Sequence, residues 1–200
     1  MPIRYVIAAV ILSLTVGGLG MVMFQSASLQ RMLSDPGVQS VDTAGEGLDG
    51  FSLLTNGPMV PNVQILDEAG NPNTLQRFRG KVVLLNLWAT WCPPCIKEMP
   101  DLNALQIDYA DRDFVVVPVA SGKQGRQTPA AFLRDRGLMA LTTFYDPQSK
   151  FLRIFDIDTL PTTFLIDKTG RMRGGVLGLT DWHSDDAKAL IDSLLNEPVL

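Results

Sequence analysis

The sequence predicts an α/β fold, a central mixed β-sheet covered by helices on both faces, preceded by an N-terminal transmembrane helix. Three observations predict it. Two continuous apolar runs, Lys81–Trp88 (KVVLLNLW) and Phe114–Ala120 (FVVVPVA), have the composition of strands buried on both faces. A helical segment follows each run, and a strand–turn–strand pattern then leads into a last amphipathic helix. From Tyr5 to Phe24, twenty residues carry no charge, enough at helical rise to cross a hydrocarbon core of roughly 30 Å.

In chain order, Met1–Arg4 is expected to be a cytoplasmic tip and residues 5–24 an uncleaved anchor. The competing reading is a cleaved signal peptide, whose apolar region is shorter, about 7–15 residues, and ends at small residues. Ser26-Ala27-Ser28 offers such a site, and the length of the run favours the anchor. Arg4 with the α-amino group, set against Arg31, gives a small bias towards an outward-facing domain. Residues 25–57 carry Asp35-Pro36-Gly37, Gly45, Gly47, Gly50 and Asn56-Gly57-Pro58, a turn-rich composition that suits a linker. Such a tether raises the concentration of the domain near membrane partners.

The folded domain is expected over residues 58–197. Asn62–Asp67 reads as a strand entering a turn at Glu68–Pro72. After Lys81–Trp88 comes a helix from Pro93 to about Tyr109, then the strand at Phe114–Ala120. Thr128 is placed to cap a helix that has Pro129 at its first position and runs to Arg136. Pro147–Phe155 reads as a further helix. Thr162–Asp167 turns through Lys168-Thr169-Gly170 into Arg171–Leu177, a hairpin. Ser184–Asn196 sets Ala187, Leu190, Ile191, Leu194 and Leu195 on one helical face.

Net charge is −4, so there is no basic surplus to attract nucleic acid. The chain has two cysteines, Cys92 and Cys95. A disulfide scaffold needs several bridges, and one that closes so short a loop does little to restrict the unfolded chain. A structural zinc site wants four ligands, and the only histidine, His183, is remote, so no metal and no cofactor are expected. The spacing suits exchange chemistry instead. Cys92 falls at a predicted helix start, where unpaired N–H groups and the helix dipole stabilise a thiolate. Cys95, three residues on, is close enough to attack a mixed disulfide formed on Cys92. Pro93 and Pro94 between them contribute no N–H donors. Trp91 is expected to shield the nucleophile on its apolar side, and Trp88 to lie in the core. Glu98, one turn after Cys95, reads equally as a proton relay for Cys95 or as a solvated helix glutamate. Asn86 reads as an internal hydrogen-bonding residue.

The segment Trp88-Ala89-Thr90-Trp91-Cys92-Pro93-Pro94-Cys95, with Pro100 beyond it and Thr159-Leu160-Pro161-Thr162 downstream, resembles the thioredoxin superfamily. The Trp-Cys-x-Pro-Cys-x-x-Glu-x-Pro string at 91–100, Val117–Ser121, and Trp182-x-Ser184-x-Asp186-Ala187 resemble its TlpA-like, membrane-anchored branch. The resemblance covers about residues 58–197 and implies a thioredoxin fold. It implies a cis Leu160–Pro161 bond packed beside the dithiol, leaving the Leu160 main chain free to pair with a peptide substrate. Pro94 matches the family proline, and Pro93 occupies the position that tunes thiolate stability. Asn86 stands where thioredoxins carry a buried acid, so that role is absent here or has moved to Glu98, which suggests a narrower range of substrates. The implied activity is a reductase of specific protein disulfides on the periplasmic side of a bacterial inner membrane. Its expected clients are copper-site cysteines of cytochrome oxidase assembly or haem-binding cysteines of apocytochromes c, and its expected electron donor is a membrane thiol carrier. The alternatives are a general dithiol oxidase and a protein that handles Cu(I) with the same dithiol; a single-cysteine peroxidase is disfavoured by the tight CxxC.

Overall fold

The computed structural model of the chain describes residues 40–41, 48 and 50–198. The expected cytoplasmic tip and transmembrane helix, and most of the expected linker, lie outside the described residues. Among the described residues no helix is long and apolar enough to cross a membrane.

The fold is built around β5 (Val82–Trp88), whose seven residues are all buried. Strand β6 (Phe114–Ser121) runs parallel to it, and β8 (Thr162–Ile166) antiparallel on its other side. Strand β9 (Met172–Leu177) pairs with β8, and β7 (Phe144–Asp146) runs parallel to β6. The outer strands are β1 (Ser40–Val41) and β2 (Ser52–Leu54) on one edge, β3 (Ile65–Leu66) and β4 (Pro72–Asn73) on the other. Among the described residues the order is β1-β2-β9-β8-β5-β6-β7-β3-β4, a mixed sheet of the thioredoxin type.

Because successive side chains of a strand point to opposite faces, β5 feeds two cores. Val82, Leu84 and Trp88 join a cluster with Met99, Leu102 and Leu105 of α1 (Pro93–Asp108) and with Ala187, Ile191 and Leu194 of α4 (Asp185–Asn196). Phe132 of α2 (Pro129–Asp135) packs on Trp88. Leu85 is aligned with Phe164 of β8, and Phe164 packs against Phe155 at the end of α3 (Lys150–Ile154). Asn86 therefore lies on the α1 face, a polar residue between Leu84 and Trp88. The caps are those the sequence indicates: Thr128 Oγ1 accepts from the Ala131 N–H, and Ser184 Oγ from the Ala187 N–H.

Three expectations change in detail. The predicted linker does not run to residue 57 without structure, because β2 lies within it and pairs with Gly174 and Gly175 of β9. Three residues with little periodicity carry no strand signal of their own; the neighbouring strand supplies the pairing. The strand expected over Asn62–Asp67 contracts to β3, since Asp67 turns the chain by accepting from the Ala69 and Asn71 N–H groups. The helix expected from Pro147 starts at Lys150 because Asp146 to Ser149 forms a turn, with Ser149 at φ 51°. The Asp146 carboxylate then accepts from the Phe151 N–H.

The close approach of β2 to β9 requires glycine at 174. Its φ is +154°, and a Cβ there would stand 2.4 Å from the Ser52 carbonyl oxygen. Gly178 has φ +99° but open space around it. Gly174→Ala is expected to cost about 2–4 kcal/mol and Gly178→Ala only about 1 kcal/mol, from backbone strain alone. Urea denaturation of the two variants checks this, and equal losses would mean that β2 does not depend on the contact.

Candidate active site

The end of β5 aims the chain at the candidate site. Ala89, Thr90 and Trp91 link Trp88 to Cys92, which adopts extended geometry (φ −95°, ψ 103°) as the N-cap of α1. Pro93 and Pro94 occupy the first turn, where helical N–H groups are unpaired in any case. Having no N–H, they leave that of Cys95 as the first donor of the turn, and it points at Cys92 Sγ from 3.3 Å. Cys92 and Cys95 form a disulfide with their Cα atoms 5.3 Å apart. Cys92 retains 4% exposure and Cys95 none, so Cys92 is the less buried of the two.

The surroundings follow the register of the sheet. Leu87 is aligned with Thr162. The residues just before Thr162 therefore lie at the end of β5 from which the cysteines depart. Those residues are Leu160 and Pro161, and the bond between them is cis. Pro161 is buried, and its carbonyl accepts from the Gly178 N–H at 2.8 Å. Leu160 is half-buried against the cluster that contains both cysteines. Among the described residues its main-chain N–H and C=O have no partner. Trp91 is 60% exposed and Pro93 and Pro94 are also exposed, so the rim beside Cys92 is apolar. Trp88, as expected, is a core residue, its indole N–H donating to Thr143 Oγ1.

Behind the dithiol lies a polar group that the sequence resolves only in part. Glu98 is fully buried, which excludes the solvated-glutamate reading. Asn86 Nδ2 donates to Glu98 Oε1 at 2.7 Å and to Thr163 Oγ1 at 2.9 Å. Among the described residues, Glu98 Oε2 and Asn86 Oδ1 have no partner at hydrogen-bond geometry. Burial pushes the Glu98 carboxyl up to about 8, and the Asn86 amide and the Thr180 main chain offset only part of it. Two unpaired acceptor oxygens in one buried cluster favour the form of the acid that carries a proton.

Cys92, Cys95, Glu98, Trp91, Pro93 and Pro94 are brought to one end of α1 by sequence proximity, while Leu160 and Pro161 arrive through strand pairing. Thr163 was not singled out from sequence. It reads there as one more β-branched strand residue, and only the β5–β8 register sets it opposite Asn86. His183 belongs elsewhere, where its Nε2 lies 2.9 Å from Asp108 Oδ2 and ties α1 to the start of α4. Among the described residues no group of three or more histidine, cysteine or acidic side chains is placed to hold a metal ion.

The family model described as Redoxin matches residues 55–191. The thiol-disulfide oxidoreductase ResA of Geobacillus kaustophilus is 32% identical over 139 residues, 64% of this chain and 79% of that protein. ResA of Geobacillus thermodenitrificans is 33% identical over 138 residues, 69% of this chain and 77% of that one. Among solved structures, the exposed lipoprotein thioredoxin of Streptococcus pneumoniae superposes with a TM-score of 0.55 at 28% identity. It covers 67% of this chain and all of that one (100%).

The buried acid makes stability depend on pH. Between about 4.5 and about 8 the folded protein holds a proton on Glu98 that the unfolded chain releases. Stability is therefore highest below that window and falls as pH rises through it. Glu98→Gln is expected to flatten this slope, gaining roughly 2–4 kcal/mol over the wild type on the alkaline side and little on the acid side. Urea midpoints at both ends of the window test it; parallel profiles would mean that Glu98 does not titrate there.

Proposed function

The chain belongs to the Redoxin family and is a thiol–disulfide oxidoreductase, and from that premise we propose that it is a membrane-anchored reductase of specific extracytoplasmic protein disulfides. The observation that carries the proposal is a single reachable sulfur, Cys92, backed by a buried acid one turn beyond Cys95. A nucleophile at the surface with its proton acceptor sealed inside suits a directed sequence of two exchanges.

In the reduced protein, the Cys92 thiolate attacks one sulfur of a client disulfide. A bond forms between Cys92 Sγ and the client, and the client's second sulfur leaves as a thiolate. Cys95 then attacks Cys92 Sγ, closing the Cys92–Cys95 disulfide and releasing the first client sulfur. The client gains two electrons and two protons, and the protein is left oxidised. A membrane thiol carrier returns the two electrons and two protons by the reverse exchange. Cys95 is buried, so its thiol proton needs an internal acceptor, and Glu98 supplies it through a carboxyl tuned close to neutral pH. The free N–H and C=O of Leu160 bind the client's main chain as a short added strand, with the apolar rim of Trp91, Pro93 and Pro94 against its side chains. The uncharged run at residues 5–24 supports the anchor, and Arg4 with the α-amino group, set against Arg31, supports a periplasmic orientation. Copper-site or haem-binding cysteines are the clients that the TlpA-like motifs favour.

Cys92→Ser is expected to abolish exchange. Cys95→Ser should stop after the first exchange and hold the client in a mixed disulfide, recoverable from membranes and identifiable by mass spectrometry. Full turnover by Cys95→Ser would sink the two-step scheme, and a protein released by a carbonate wash would remove the anchor.

A further inference from the structure

Residues 122–128 connect β6 to α2 and pass beside the main chain that delivers Cys92. The Thr90 N–H donates to Gln124 Oε1 at 3.0 Å. Gln124 Nε2 in turn donates to the Ser121 carbonyl at 2.9 Å and the Gly122 carbonyl at 3.1 Å. One side chain thus joins the residue two before the nucleophile to the end of a central strand, and both amide hydrogens are used. Two further bonds cross the same seam. The Gly125 N–H donates to Thr90 Oγ1 at 3.4 Å, and the Trp91 indole N–H to the Lys123 carbonyl at 3.0 Å. The Lys123 side chain itself is exposed and takes no part.

Only Ala89, Thr90 and Trp91 separate β5 from the N-cap, so a shift of their main chain moves Cys92 Sγ relative to the Cys95 N–H and to an incoming disulfide. Each neutral hydrogen bond adds little net stability. Displacements of about 1 Å at a reacting atom, by contrast, change rates by up to roughly a hundredfold. The seam therefore matters to where the sulfur stands far more than to whether the chain folds. We propose that Gln124 is a positioning residue for the dithiol, holding through Thr90 the main chain that presents Cys92; this rests on the exchange chemistry assigned to the Cys92–Cys95 pair.

The test uses the full-length, isotope-labelled chain with a small peptide disulfide as the exchange probe. Gln124→Ala should expose the Thr90 amide to hydrogen exchange, shift the Trp91 indole resonance, and slow exchange about five- to tenfold, with the denaturation midpoint near that of the wild type. Lys123→Ala, which removes a charge but keeps the carbonyl, should leave all three unchanged. Gln124→Glu places a carboxylate against two carbonyl oxygens, so it should behave like Gln124→Ala at neutral pH and recover the Thr90 and Trp91 signals below about pH 4, where the acid donates again. That pH-dependent recovery decides the matter if Gln124→Ala folds poorly. Wild-type rates in Gln124→Ala, or a Gln124→Glu spectrum that does not change with pH, would overturn the proposal. A wild-type chain that reduces no disulfide, while the Thr90 amide still responds to Gln124→Ala, would overturn the exchange reading and leave the clamp standing.

Discussion

The hydrogen bond from Asn86 to Glu98 joins the middle of the central strand to the helix that carries both cysteines. It forms at 2.7 Å in a fully buried setting, where a carboxyl group is tolerated only if it is paired or protonated. Asn86 can be placed there because every residue of β5 is covered, and its alternation puts Asn86 on the α1 face between Leu84 and Trp88. Glu98 reaches it because it falls one turn after Cys95 on the inner side of α1. The second amide hydrogen of Asn86 goes to Thr163, so the same residue also links β8, the strand that begins beside the cis Leu160–Pro161 bond. Strand, dithiol helix and cis-proline segment meet in one polar group. The acid keeps its proton up to about pH 8 because burial disfavours its charged form by more than the Asn86 amide and the Thr180 main chain offset.

Much of this fold was legible in the sequence, because the signals were local or strongly periodic. Lys81–Trp88 and Phe114–Ala120 are long apolar runs, and the caps at Thr128 and Ser184 are chemical signatures that need no tertiary context. The CxxC placed Cys92 at a helix start, and the structure sets it as the N-cap of α1. What escaped were features created by pairing. β2 has three residues and exists because β9 presents Gly174 and Gly175 to it. β7 gains its pairing from β6, and its three residues are assigned to no element from the sequence. Glu98 was ambiguous for the same reason: a glutamate on an amphipathic helix is ordinarily solvated, and only the packing of β5 against α1 removes the water. Thr163 and Gln124 carry no sequence signal, since their roles depend on register and on a loop crossing.

The dithiol is held on two sides by different kinds of structure. On the helix side the contacts are buried, and Cys95 and Glu98 have no exposure at all. On the loop side they are half-exposed main-chain and side-chain bonds around Thr90 and Trp91. The two cysteines need these different settings. In the proposed exchange Cys95 reacts only with Cys92, so burial costs it nothing in access and protects it from other thiols. In that scheme Cys92 must be reached by partners; it keeps 4% exposure beside the exposed Trp91, Pro93 and Pro94, and the directional bonds around Thr90 and Trp91 add to its packing in the core. A helix start with Pro93 and Pro94 in its first turn fits that division, because it leaves the Cys95 N–H as the donor at the sulfur and keeps the turn free of competing main-chain donors.

Proton accounting gives the buried acid a direction. Opening the Cys92–Cys95 disulfide takes up two electrons and, with both thiols neutral, two protons. Below about pH 8 Glu98 already holds a proton in the oxidised protein, so the inner sulfur can be protonated without water entering the core. In the proposed exchange, the same carboxylate takes that proton back when Cys95 attacks. In that scheme the charge, on Glu98 or on the Cys95 sulfur, stays among residues that have no exposure. A carboxyl with the usual solvated affinity would be too weak a base for such a relay. Asparagine at position 86 is consistent with this scheme. An ionisable group there would add a second buried charge beside Glu98, whereas the amide donates a hydrogen bond in both protonation states of its partner.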